Sequence, residues 1–384
     1  WDDIFIFTNP QVKKAALELI KSVLTLSSVD AAGKVGLLAK WLPRKGSFAD
    51  DVRRHLNWNW RTYRKTIVAF SKTVEQQMCA KQWNEIVFDH VPSVASARYQ
   101  KAFFRNCPEA YKAYREGLKK VKPDGTTERK INASSIFPYD VIKSVRSGVR
   151  DVAEAQWNAL PNYLGEDYIL PLIDTSGSMT MWGYYGQRDN MPGVTPMDIA
   201  LSIGLYVADK QTGPFQNAFL TFESRPKLQV LSGDLASKVI QAERAPWGGS
   251  TNIEAAFDKI LEIAKKANAS EAEMPKVLLI LSDMEFNQCI EGAHRGQDTT
   301  AYESFRLKYE RAGYKLPKVV FWAINGRSDN NPVKFLESGT ALVSGFSPSI
   351  FKALLRANLE DYTPYNVMLE ALKNPLYDVE GVTV

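Results

Sequence analysis

Residues 168–180 read YILPLIDTSGSMT. The apolar run stops at Asp174, and Thr175, Ser176 and Ser178 follow with Gly177 among them. A continuous apolar run of this length is the pattern of a strand buried on both faces. A carboxylate and small hydroxyls at the end of such a strand make either a capping turn or half of a metal site. The rest of the chain has to decide between the two.

From about residue 165 onward, similar runs alternate with helical patterns. PMDIALSIGLYVADKQ (196–211) reads as a helix, and NAFLTFESRPKLQVL (217–231) as two strands with a tight turn at Ser224–Pro226. SKVIQAERA (237–245) and IEAAFDKILEIAKKAN (253–268) read as helices, the second behind the loop PWGGSTN. KVLLILSDMEF (276–286) is again a buried strand ending in polar residues. Then come the helix AYESFRLKYERAGY, the strand KVVFWAIN, the strand TALVSGF and the helix SPSIFKALLRANL. Such alternation predicts an α/β fold with a doubly wound, mostly parallel sheet, whose ligands sit beyond the carboxyl ends of the strands.

Upstream, the pattern is helical throughout. PQVKKAALELIKSVLTL and VGLLAKWLP have apolar residues at helical spacing, and the pattern continues through residues 50–78. SVASARYQKAFFRNCPEAYKAYREGLKKV reads as two helices broken near Pro108, PDGTT (123–127) as a loop, and FPYDVIKSVRSG and VAEAQWNALPNYL as further helices. The expected organisation is a helical, basic domain over 1–164, an α/β domain over 165–361, and a tail over 362–384 whose helix packs back on the helical domain. A helical-repeat arrangement of the first domain is open, since no strict repeat is visible.

The 384 residues suffice for two domains, and 45% hydrophobic with 24% charged residues is ordinary for a globular protein. No run approaches the ~20 apolar residues of a membrane-spanning helix. The N-terminus shows no signal-peptide pattern and no initiator Met, which leaves room for a segment upstream. Three scattered cysteines, Cys79, Cys107 and Cys289, fit a reducing, cytoplasmic setting better than a disulfide framework. The three histidines show no zinc-ligand spacing.

The net charge of +5 is unevenly spread: residues 1–165 carry 27 Lys and Arg against 16 Asp and Glu, the remainder 21 against 27. Within LPRKGSFADDVRRHLNWNWRTYRK (42–65), Arg44, Lys45, Arg53, Arg54, Arg61, Arg64 and Lys65 accompany Trp58, Trp60 and Tyr63. Cations contact phosphates and aromatics stack on unpaired bases, so Arg44, Lys45, Arg53, Arg54, Trp58, Arg61, Arg64 and Lys65 are candidate nucleic-acid contacts. The competing reading is helix packing, with Trp58 and Tyr63 in a core and the Arg stems lying over them. RKGSFADD is not a Walker loop, so no nucleotide cofactor is expected.

Three separated segments deliver oxygen donors at loop positions: Asp174, Ser176 and Ser178; Thr251 in GGSTN; and Asp283 in LILSDMEF. Two carboxylates and three hydroxyls are hard donors that suit Mg²⁺ or Mn²⁺ rather than zinc. Strand alternation lets Asp174, Ser176 and Ser178 point one way, and Gly177 is expected to permit the tight turn. With one carboxylate bound directly, the ion stays electrophilic enough to take a carboxylate or phosphate from a partner.

DTSGSM, GGSTN and SDM, in that order, resemble the metal-ion-dependent adhesion site of von Willebrand factor A domains. The resemblance implies that Asp174, Ser176, Ser178, Thr251 and Asp283 are the metal-site positions and that the sheet is von Willebrand A-like. VEQQMCAKQWNEIVFDHVPSVASARYQKAFFR, APWGGSTNIEAAFDKILEIA, VLLILSDMEF and TALVSGFS resemble an uncharacterised von Willebrand A-containing family of viruses, phages, bacteria and plants, from about Leu38 to Tyr377. That family resembles, more distantly, the Ro ribonucleoprotein proteins, in which a helical-repeat ring accompanies an A domain and binds small or misfolded RNA. In the N-terminal half the likeness to Ro rests on helicity and LAKWLPRKG.

MWGYYGQRDNMPG (181–193) follows the candidate site directly and reads as a specificity loop; Trp182, Tyr184 and Tyr185, with Glu285 and Asn287, are expected to rim the site. There is no GxSxG and no Ser-His-Asp set. The expectation is a non-enzymatic, Mg²⁺-dependent binding protein with an acidic protein ligand or a phosphate at the metal and RNA on the helical part. The alternatives are a protein-only adaptor or assembly component, and a metal-dependent hydrolase.

Overall fold

The computed structural model describes residues 9–25, 32–71, 73–133, 135–180, 194–246, 252–283, 301–324 and 340–345, together with Tyr365, Met368, Leu369 and Leu372. The expected helix at 347–359 lies outside these, as does the expected 362–384 tail apart from those four residues, which are helical.

The chain divides into two units: residues 1–91 with 99–114, and residues 92–98 with 115–384. The described part of the first unit begins with α1 (Pro10–Thr25), α2 (Ala32–Trp41), α3 (Ser47–His55), α4 (Trp60–Phe70) and α5 (Val74–Cys79). Their amphipathic faces meet in one core that includes Ile20 and Leu24 of α1, Leu38 of α2, Val52 of α3, and Tyr63 and Ile67 of α4. The helical pattern of residues 50–78 resolves into three helices. Asn57 takes the left-handed conformation (φ 55°), and Asn59 then caps α4 by accepting the Thr62 N–H at 2.8 Å. Thr73 caps α5 by accepting the Gln76 N–H. The helices α6 (Ser93–Asn106) and α7 (Pro108–Lys119) break where Pro108 was expected to break them. Phe88, Phe103, Tyr111 and Tyr114 stack into an aromatic cluster within the first unit.

The second unit is α/β. Six strands, β1 (Ile169–Asp174), β2 (Ala218–Phe222), β3 (Leu228–Val230), β4 (Val277–Ser282), β5 (Lys318–Ala323) and β6 (Thr340–Ser344), form one sheet in the order β3-β2-β1-β4-β5-β6. All pairs are parallel except the β2–β3 hairpin. Every residue of β1, β2 and β4 is buried, as apolar runs covered on both faces require. Alternate residues go to opposite faces. Ile173, Leu279 and Leu281 face α10 (Pro196–Lys210) and α11 (Leu235–Glu243); Leu170, Leu172, Leu278 and Ile280 face α12 (Ile253–Ala267) and α13 (Ala301–Arg311). Gly204 of α10 lets that helix sit close to the sheet, since a Cβ there would fall 2.4 Å from Ile173 Cδ1.

A boundary at 164/165 marks where the hydrophobic pattern changes, but packing divides the chain elsewhere. The helices α8 (Pro138–Arg146) and α9 (Arg150–Asn158) lie over α10 and α11 in the same core as the sheet. Arg146 bridges Asp198 of α10 and Glu243 of α11, and the Trp157 indole N–H donates to Asp209 of α10 at 2.8 Å. This second layer explains why α10 is buried nearly all round.

Candidate metal centre

In the order β2-β1-β4, the chain leaves β1 toward one side of the sheet and later returns to its other side. The carboxyl ends of β1 and β4 therefore flank the switch point of the sheet, where such folds open a crevice. Asp174 is the last residue of β1, and Asp283 follows the last residue of β4 directly.

Asp174 is 0% exposed. Its Oδ1 accepts the Ser176 N–H at 2.9 Å and its Oδ2 accepts the Ser282 hydroxyl at 2.5 Å, so the loop after β1 is tied to the end of β4. A single 3₁₀ turn, Gly177–Thr180, brings the Ser176 and Ser178 hydroxyl oxygens to 3.0 Å from each other. Gly177 was expected to permit the tight turn, and the turn forms at that residue. The glycine does not adopt the left-handed region, and a Cβ there would meet nothing within 4 Å. Asp283 is 4% exposed.

Burial pushes the Asp174 carboxyl up to about 6; the Ser282 and Ser176 hydrogen bonds oppose this, and the Asp283 charge adds to it. A carboxylate buried in this way is stable when paired with a cation or bound to a metal, and among the described residues no Lys, Arg or His pairs with Asp174. The donors are oxygens only, which fits a hard divalent ion. No group of three or more His, Cys, Asp or Glu side chains is clustered at metal-holding distance among the described residues. A centre built here draws on two carboxylates, hydroxyls and water.

Asp174, Ser176 and Ser178 stand together as expected, with Asp283 at the neighbouring strand end. Thr251, Trp182, Tyr184, Tyr185, Glu285 and Asn287 lie outside the described residues. Asn252, directly after Thr251, caps α12 by accepting the Ala255 N–H at 2.9 Å. Ser282 escaped the sequence reading. Its place before Asp283 signalled only the end of a strand, yet its hydroxyl is what joins the two carboxylate-bearing loops.

The basic segment of the first unit splits into two groups. Arg53 bonds Asp50 and the Trp58 carbonyl (3.0 Å) and lies over the Trp60 ring. Trp58 packs against the helical core, and buried Tyr63 donates to the Pro43 carbonyl at 2.8 Å. These residues serve packing. Arg44, Lys45, Arg54, Arg61, Arg64 and Lys65 are exposed; Arg54 pairs with Asp50 at 2.7 Å, and the Arg64 guanidinium stands over the Trp60 ring, 5.6 Å from its centroid.

Residues 169–373 match the family described as "Domain of unknown function (DUF7788)". The chain belongs to that family. Residues 49–167 match a second description, "Domain of unknown function (DUF2828)". The chain is 30% identical over 408 residues to "Uncharacterized protein L728" of Acanthamoeba polyphaga mimivirus, an alignment covering 96% of this chain and 67% of that protein. Among solved structures it is similar to the Ro (RSR) protein of Deinococcus radiodurans. The identity is 15% and the TM-score 0.45, over 92% of this chain and 85% of that one.

Proposed function

We propose that this member of the DUF7788 family is a metal-dependent binding protein. In this reading Asp174, Ser176, Ser178, Thr251 and Asp283 hold Mg²⁺ or Mn²⁺ in a von Willebrand A-like site, and the ion completes its coordination with a carboxylate or phosphate of a partner. The observation that carries it is a fully buried carboxylate at the switch point of the sheet, paired with no cation among the described residues, beside paired hydroxyls and a second buried carboxylate. The ion would supply positive charge to offset these carboxylates and a site for an anionic ligand.

The test is titration calorimetry with Mg²⁺ and Mn²⁺, followed by capture of partners in Mg²⁺ and in EDTA. Wild type binds one divalent ion, Asp174→Ala does not, and partners held in Mg²⁺ are released by EDTA. Absence of ion binding by wild type sinks the reading. Turnover of a phosphoester or peptide in Mg²⁺, lost in Asp283→Ala, replaces it with the metal-dependent hydrolase.

A second activity, RNA binding by the first unit, draws on the exposed cations Arg44, Lys45, Arg54, Arg61, Arg64 and Lys65. Phosphate contacts of this kind weaken steeply with salt and survive EDTA. RNA retention unchanged by the triple change Arg61→Ala, Arg64→Ala, Lys65→Ala moves RNA binding off these three cations, and a wild type that retains no RNA leaves the adaptor reading.

A further inference from the structure

Asp174 is held from two sides by two different segments. On its own loop, the Ser176 N–H donates to Oδ1 at 2.9 Å. From the neighbouring strand, the Ser282 hydroxyl donates to Oδ2 at 2.5 Å. Ser282 ends β4 and is 0% exposed, as is Asp174. Ser282 is not among the five positions assigned to the ion, so its place against Asp174 needs a reason of its own.

Joining the strands does not supply that reason. β1 and β4 are already paired along their length, from Ile169↔Val277 to Ile173↔Leu281. The end of β4 is also held from its other side: Ser282 pairs with Ala323 of β5, and its carbonyl accepts the Ile324 N–H at 2.9 Å. A buried hydroxyl set against a buried carboxylate carries a desolvation cost that two apolar side chains of the same shape would not. What the Ser282 hydroxyl does, and the backbone ladder cannot, is fix the rotation of the Asp174 carboxylate about its last side-chain bond, a torsion that is otherwise broad. With a donor on each oxygen, Oδ1 stays on the side of the Ser176 loop and Oδ2 on the side of β4. An ionised carboxylate accepts at about four lone-pair sites, so these two bonds leave it capacity for an ion or for a water on the ion.

Resting on the metal reading above, we propose that Ser282 is a positioning residue of the centre: its hydroxyl holds the Asp174 carboxylate in one orientation, so that ion binding does not have to order it. Ser282 acts through Asp174 and not as a ligand. Two adjacent residues at the end of β4 then serve the centre in different ways, Asp283 with its charge and Ser282 with its hydrogen bond to the carboxylate of β1.

The experiment is Mg²⁺ titration calorimetry on the full chain, wild type against Ser282→Ala and Ser282→Thr, with the electron paramagnetic resonance spectrum of bound Mn²⁺ recorded at saturation for each. Ser282→Ala weakens Mg²⁺ binding by about 10–100-fold, the range for residues that orient a metal's ligands. It also changes the spectrum of bound Mn²⁺, because a carboxylate free to rotate presents its oxygens differently. Ser282→Thr keeps the hydroxyl and brings both readings back toward wild type. Ser282→Cys, similar in shape with a much weaker donor, replaces the alanine variant should that one fail to fold. Wild-type affinity in Ser282→Ala overturns the proposal and leaves the metal centre intact. Weaker binding with an unchanged Mn²⁺ spectrum assigns the hydroxyl to strand stability alone, and a folded threonine variant that behaves as alanine does assigns the effect to packing; either overturns the proposal. No ion binding by wild type removes the metal centre, and the role of Ser282 with it.

Discussion

A carboxylate pushed up to about 6 makes a pH prediction with a definite sign. In the metal-free folded protein Asp174 holds its proton more tightly than in the unfolded chain, where its value is the ordinary 3.8. Its contribution to stability is therefore fully present below about pH 4 and is lost as pH rises through about 6. The loss is roughly 3 kcal/mol, at about 1.4 kcal/mol per tenfold change in proton affinity. In EDTA, wild type should fall in stability relative to Asp174→Asn between pH 4 and 6.5, followed by urea denaturation at each pH. Parallel curves for the two proteins would show that Asp174 ionises without penalty. If Asp174 holds Mg²⁺ as proposed, the same proton competes with the ion, and Mg²⁺ affinity should drop as pH falls below about 6. The burial of Asp174 was legible in the sequence because it ends a continuous apolar run, while its candidate role rested on the agreement of three separated segments. The role of Ser282 was not, because a hydroxyl before Asp283 reads as the end of a strand, and its bond to Asp174 depends on which strand lies beside it.

At the scale of elements, α10 is tied into the layer of helices above it by polar contacts at its carboxyl end. Asp209 accepts the Trp157 indole N–H and pairs with Lys238, which in turn bonds Asn217 Oδ1 at 2.7 Å. Lys210 donates to the Trp157 carbonyl at 2.9 Å, near the end of α9, where the Leu160 N–H also reaches that oxygen at 3.2 Å. Trp157→Phe keeps the ring in place and removes the donor, so it should cost about 1–2 kcal/mol. Trp157→Ala also empties a fully enclosed site and should cost about 3–5 kcal/mol. Equal urea midpoints for the Phe variant and wild type would show that the indole bond contributes nothing net. The strands of this unit were readable from their continuous apolar runs, and α12 from its stripe. The amphipathic stripes of α8 and α9 showed that one face was buried but not against what. Periodicity names a face, and only the three-dimensional packing names its partner.

That ambiguity sets the boundary of the whole molecule's second unit, and it can be tested by cutting the chain. Ile136, Phe137, Val141, Ile142, Val145 and Trp157 are buried in the same core as the sheet and α10. At about 1.5–3 kcal/mol for each buried apolar side chain, these six contribute roughly 10 kcal/mol or more, comparable with the entire net stability of an ordinary domain. A fragment beginning at residue 165, where the sequence pattern changes, bares the outer side of α10 and gives up that contribution. A fragment beginning at residue 115 retains it, along with the Arg115–Asp151 ion pair at 2.6 Å and the Arg146 bridge between α10 and α11. The longer fragment should melt cooperatively, and the shorter should be aggregated or lack a transition, as read by circular dichroism and size-exclusion chromatography. Equal melting temperatures would mean that α8 and α9 only rest on the α/β unit, and that the change of pattern at residue 165 is a true domain boundary.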